Sequence, residues 1–225
     1  MAPSPSSAPS FGAGGPPARR LIFLLGVILL LGAFMLNVRV AGYDFLALGD
    51  DDINVTLNPH LGHLSGARWA WLLTDSSYVR RYMPLGWLTL CGLFPVNGLD
   101  PFVYHAAAFG FYIVNVALVY VLALLAIRQL VPAARGGLKA WHAWAAFLAA
   151  GWWAFHPLRA ESTAWISGLL YGQAATGFLL ALVAYLLAWA HPARRSVWVA
   201  ASWVAITASL LTYPIALGFP LLADG

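Results

Sequence analysis

Three short stretches hold polar side chains whose types and spacing could do chemistry in an otherwise apolar chain. The first is GDDDINVTLNPHL, residues 49 to 61. Asp50, Asp51 and Asp52 repel one another unless they are solvated, paired or bound to a cation. Such a run suits a general base, which must bring a carboxylate within hydrogen-bond reach of the proton it takes. It equally suits a divalent cation held by the oxygens of Asp50, Asp51 and Asp52. A solvated acidic turn would look the same. Asn54-Val55-Thr56 also matches the N-glycosylation pattern, which short sequences often meet by chance.

The second stretch is HPLRAES, residues 156 to 162, with His156, Arg159 and Glu161 close together. A histidine relays protons, and an arginine grips a phosphate with two parallel hydrogen bonds. The rival reading is a pair of helix ends. Pro157 stops one helix, Glu161 or Ser162 caps the next, and Arg159 snorkels to headgroups. The third stretch is VRRYMPLGW, where Arg80 and Arg81 suit lipid headgroups or the phosphate of a lipid-linked substrate. His105, Tyr171 and Gln173 could line a cavity beside these groups; ordinary packing accounts for them as well. His60, His63, His142 and His191 have no ligand spacing. The single cysteine, Cys91, leaves no intrachain disulfide and no thiolate metal cluster.

The elements that must position these residues are membrane helices. Of 225 residues, 61% are hydrophobic and 9% charged, where an ordinary soluble domain has roughly 25% charged. Mean hydropathy is +0.76. Twenty charges cannot cover a soluble protein of this size, so the expected class is an all-α, multipass membrane bundle. A nucleic-acid-binding domain is excluded despite a pI near 9.5. The net charge of +4 fits basic loops beside an anionic leaflet.

Residues 1 to 18, rich in Ser, Pro, Ala and Gly, read as a disordered tail. Residues 19 to 225 form the membrane domain. Spans are expected at 21–40, 102–127, 141–155, 163–190 and 196–211, with a partial sixth at 214–223. The first also fits a signal peptide ending near VRVAG; an uncleaved span is the preferred reading. The 163–190 span is long enough to require tilt or a broken start near Gly168 and Gly172. Residues 41 to 100 form an outer loop with structure of its own. In it Ser65 caps a short helix, GARWAWLLT. Residues 83 to 94 are too short to span and form an interfacial or re-entrant helix. Asp100-Pro101 opens the next helix as N-cap and N1 proline.

Charge sets the orientation. Arg19, Arg20, Arg128, Arg135, Lys139, Arg194 and Arg195 fall on one side with no acid, and that side is the cytoplasm. Every placed acid lies on the other, together with HPLRAES. The loop's short helices are expected on the membrane surface, with Asp50 to Asp52 beside His156 and Glu161.

DDDINVTLNPHL, YMPLGWLTLCGLFPVNGLDPFVYH and HPLRAESTAWIS together resemble the membrane region of tetratricopeptide-repeat glycosyltransferases. These are multipass proteins of the glycosyltransferase C superfamily, similar to the transmembrane and tetratricopeptide repeat-containing O-mannosyltransferases. The resemblance covers about residues 20 to 223. SLLTYPIALGFPLLAD is similar to the family's next segment, where a lysine often replaces Thr212 or Tyr213. The family commonly has charged residues where this chain has Gly168 to Gln173.

The resemblance implies a GT-C-like fold and transfer of a sugar from a polyprenyl phosphate to a protein or glycan hydroxyl, outside the cytoplasm. Asp50 or Asp51 would be the base, Asp51 slightly preferred. Asp52, His156, Arg159, Glu161, Arg80 and Arg81 would serve the donor phosphate or a divalent cation. The superfamily fold has more spans than five or six, and no ~34-residue repeat follows, so the chain is expected to be the amino-terminal part of such an enzyme. The implied location is a bacterial inner membrane with the active face outward. A non-catalytic membrane scaffold is the alternative. A transporter of lipid-linked sugar ranks lower, because the spans hold almost no ionisable residues.

Overall fold

A computed structural model describes residues 16–46, 49–134 and 136–216. Among them the chain is helical without strands. The helices are α1 (Pro16–Asn37), α2 (Gly66–Thr74), α3 (Pro84–Asn97), α4 (Pro101–Leu130), α5 (Ala140–Ala154), α6 (Leu158–Ala164), α7 (Gly168–Ala190) and α8 (Arg195–Thr212). Most of the expected tail, and 217–223 of the expected sixth span, lie outside the described residues. Arg135 lies outside them too.

Four segments are long and apolar enough to cross a membrane: Ala18–Gly42, Pro101–Leu130, Gly168–Ala190 and Pro192–Thr212. Five or six were expected. The difference is α5, whose 15 residues rise about 22 Å against a ~30 Å hydrocarbon core. His156-Pro157 stops it early. Its faces still separate cleanly. Ala143, Ala146, Ala150 and Ala154 are buried, while Trp144, Leu148 and Trp152 point outward.

α4 is the central helix, touching α1, α5 and α7. Tyr104, Ala108, Tyr112, Asn115, Val116 and Tyr120 recur along its buried side at helical spacing. Asp100 opens it as expected, its side chain accepting from the Phe102 amide at 2.9 Å. α7 and α8 form a close antiparallel pair through small residues, as membrane helices favour. A Cβ on Gly177 would sit 2.9 Å from the Ser209 Cβ, and the Ser209 hydroxyl donates to the Ala174 carbonyl at 2.6 Å. Gln129 donates to the Leu186 carbonyl, and the Tyr120 hydroxyl to that of Ile22. These bonds tie α4 to α7 and to α1, whose ends carry Arg128, Arg19 and Arg20.

The opposite end holds the long loop. Ser65 caps α2, accepting from the Arg68 amide. α3 does not lie free on a surface. Met83, Trp87, Leu90 and Cys91 are buried in a cluster shared with Tyr104, Ile166, Leu169 and Leu170. Its closest approach is Gly86, where a Cβ would lie 2.8 Å from the Thr212 carbonyl oxygen at the end of α8. Gly86→Ala should therefore cost about 1–3 kcal/mol through overpacking. Gly92→Ala, in the same helix but facing open space, should be neutral or slightly stabilising. Thermal unfolding in detergent reads both; equal effects would remove α3 from the bundle.

The two ends should also differ in access. With Cys91 replaced by Ala, cysteines at Ser76 and at Ala193 should react with an impermeant reagent from opposite sides of sealed vesicles. Labelling of both from one side would overturn the bundle's alternation.

Candidate functional site

The site forms where α6 gives way to α7. The helix that begins at Leu158 breaks at Trp165–Ser167, which supports the broken start expected near Gly168. Gly168 turns tightly on α6, since a Cβ there would stand 2.8 Å from the Ser162 carbonyl oxygen. The break frees the Ser167 amide for a partner outside the helix.

That partner is Asp51, 116 residues away. Its Oδ1 accepts from the Ser167 amide at 2.8 Å and from the Ser167 hydroxyl at 2.7 Å. Its Oδ2 accepts from the Leu46 amide at 3.0 Å. Asn54 adds a bond to the Ser167 hydroxyl at 3.0 Å. Asp51 is only 1% exposed, and it sits at the amino-terminal end of α7, where the helix dipole favours an anion. Burial of this carboxylate is tolerable because three donors replace water. The acid favoured in the sequence as base is thus the tether of the loop to the bundle.

Its neighbours point elsewhere. Asp52 accepts from the Thr56 hydroxyl at 2.7 Å within one turn of π-helix, Asp52–Thr56. Asp50 is partly exposed, and its charge acts on Tyr171 together with that of Arg81. The Arg81 guanidinium lies 5.2 Å from the Tyr213 ring centre, and the Tyr213 and Tyr171 hydroxyls are 3.3 Å apart. Arg81, Tyr171 and Tyr213 therefore form one polar group at the loop end of the bundle, within electrostatic reach of Asp50.

The segment that aims Arg81 is strained. Val79 and Arg80 have φ of 47° and 54°, a region a β-branched residue rarely enters. Such residues cost of order 1–3 kcal/mol each and persist only where the surroundings hold them. Asp75 does part of the holding, accepting from the Ser77 hydroxyl and the Tyr78 amide. Those two bonds, the serine's first, lower the Asp75 pKa. The Tyr78 hydroxyl donates to the Ile53 carbonyl at 2.7 Å. Burial raises the Tyr78 pKa and, against a smaller opposing pull from Arg68, that of the Cys91 thiol.

Beside this group lies a cavity of about 120 Å³, walled by Asn115, Trp153, Arg159, Ser162, Tyr171 and Gly172 among others. Arg159 stacks on Trp153, 5.1 Å from the ring centre. Asn115 donates to the Gly172 carbonyl and accepts from the Thr176 hydroxyl. Arg159 and Tyr171 thus share one cavity, as their sequence positions allowed.

His156 does something different. Its Nδ1 accepts from the Leu158 amide at 3.3 Å, so it serves the start of α6; Glu161 and Ser162, expected to cap the next helix, fall inside α6. The Glu161 side chain lies outside the described residues. Arg80 is exposed. His105 is buried edge-on to Tyr43, within electrostatic reach of Asp51 and Asp44. Gln173 keeps a buried Oε1 without a partner. Among the described residues no three His, Cys, Asp or Glu side chains converge as a metal would need, and the three aspartates diverge as described.

The sequence reading missed Ser167, Asn54 and Asn115. Ser167 precedes the glycine at which a break was expected, and Asn115 is a polar residue in mid-span. Both are signals of inter-helix bonding.

No protein-family model matches this chain, and no curated protein or solved structure matches it either. Fold and site therefore define its class directly: a helical membrane protein, by the length and apolarity of four helices, with a polar group at one end of its bundle.

Proposed function

We propose that the chain is the membrane part of a GT-C-like glycosyltransferase that moves a sugar from a polyprenyl phosphate to a hydroxyl acceptor. The observation that carries this reading is the bond of Asp51 to Ser167. It joins the acidic run to the segment after HPLRAES, the two stretches on which the family resemblance rests.

In this reading Asp50 is the base, and Asp51 positions it. Asp50 takes the proton of the acceptor hydroxyl as that oxygen bonds to the sugar's anomeric carbon. The bond from that carbon to the phosphate oxygen breaks, and the configuration inverts. Arg81, over the Tyr213 ring, and Arg159, in the cavity with Tyr171, take up the charge of the departing polyprenyl phosphate. The acceptor, on a protein or a glycan, approaches from the loop side, and that side faces away from the cytoplasm of a bacterium.

A non-catalytic scaffold is the second reading. It is favoured by one observation, the consumption of Asp51 in three hydrogen bonds. The experiment that separates the two is transfer of labelled sugar from polyprenyl phosphate to an acceptor in proteoliposomes. Transfer that depends on Asp50 supports the enzyme. Absence of transfer in the complete protein with its natural donor supports the scaffold.

A further inference from the structure

Helix α2 is apolar on two sides. Leu72 is buried, and Trp71 packs on the cluster it shares with α3. The opposite face, Gly66, Trp69, Ala70 and Leu73, is exposed, with Leu73 at 60%. The one charged residue of α2, Arg68, folds back onto the carbonyl oxygens of His63 and Leu61. The outward face therefore presents no charge to water, unlike a helix that is polar on its solvent side.

The depth of α2 follows from α4. Its 30 residues rise about 45 Å, against ~30 Å of hydrocarbon. Arg128, near its last turn, belongs in a headgroup layer. Roughly twenty residues span the hydrocarbon from there, which brings the far boundary to the neighbourhood of Ala108. Ala108 and Tyr104, one turn further out, share a core cluster with Leu72 of α2 and Trp87 and Leu90 of α3. α2 is thus tied to the turns of α4 where acyl chains give way to headgroups. Val96, Leu99 and Phe102 are also exposed, at the end of α3 and the start of α4.

We propose that the Trp69–Leu73 face of α2 inserts into the headgroup–acyl boundary of the leaflet on the loop's side, and so anchors the loop that carries Asp50 and Arg81. A tryptophan suits that depth, its ring amphipathic, and the buried area of a short apolar face supplies the binding. This holds whether or not the protein transfers sugar.

A nitroxide at Leu73→Cys, with Cys91→Ala, tests it in phosphatidylethanolamine–phosphatidylglycerol vesicles. The label at 73 should collide several-fold more with oxygen than with a water-soluble nickel complex, relative to a label at Ser76→Cys. Nickel access at 73 equal to that at 76 would place the face in water and overturn the proposal. Shielding from both reagents would place it under a protein partner or a second copy, and would overturn it too. Trp69→Cys reads the same face if Leu73→Cys does not fold.

Discussion

Asp50→Asn is expected to lower sugar transfer by roughly 10²–10⁴-fold, the usual contribution of a general base, with the unfolding temperature unchanged. Asparagine keeps the size and polarity of the side chain but cannot accept the proton. Asp50, like Asp52, is partly exposed, and its charge reaches Tyr171. The comparison is Asp52→Asn, whose carboxylate is held in its own turn by Thr56; it should transfer at nearly the wild-type rate. If the complete protein carrying Asp50→Asn and Asp51→Asn together keeps full activity, the acidic run is a solvated turn. The catalytic reading then has no base.

Asp51→Ala should act first on stability. It removes a 1%-exposed carboxylate and leaves the amides of Leu46 and Ser167 without their acceptor. Ser167 is buried and Leu46 exposed; a buried, unsatisfied donor costs about 1–3 kcal/mol, so a loss of that size is expected. Asp51→Asn should cost less, since its amide oxygen can still accept from Ser167. Thermal unfolding in detergent reads the difference. An Asp51→Ala protein as stable as wild type would mean that the loop is held by apolar packing alone. Transfer, where it is measured, should fall in parallel, because Asp50 loses its placement.

Much of the bundle was legible because two codes agreed. Long apolar runs marked four spans, and Asp100-Pro101 and Ser65 marked helix starts through side chains that replace missing backbone partners. α5 was read as a span because hydropathy does not register that fifteen residues are too short. α3 was read as interfacial or re-entrant because its apolarity was visible; its approach to Thr212 through Gly86 was not. In the site, chemistry was legible by type and not by partner. The acidic run and the HPLRAES segment were marked by composition, yet which aspartate would be buried depended on the break at Ser167, a contact 116 residues distant. The bond from the Leu158 amide to His156 Nδ1 was not visible in the sequence either.

The most direct measurement is a double-mutant cycle on the tether. Unfolding free energies are compared for wild type, Asp51→Ala, Ser167→Ala and the double variant. The Asp51 to Ser167 hydroxyl bond of 2.7 Å predicts a coupling of about 1.5–3 kcal/mol, as for hydrogen bonds to charged groups. Single losses that add within about 0.5 kcal/mol, as independent sites do, would contradict the union of the acidic loop with the HPLRAES break.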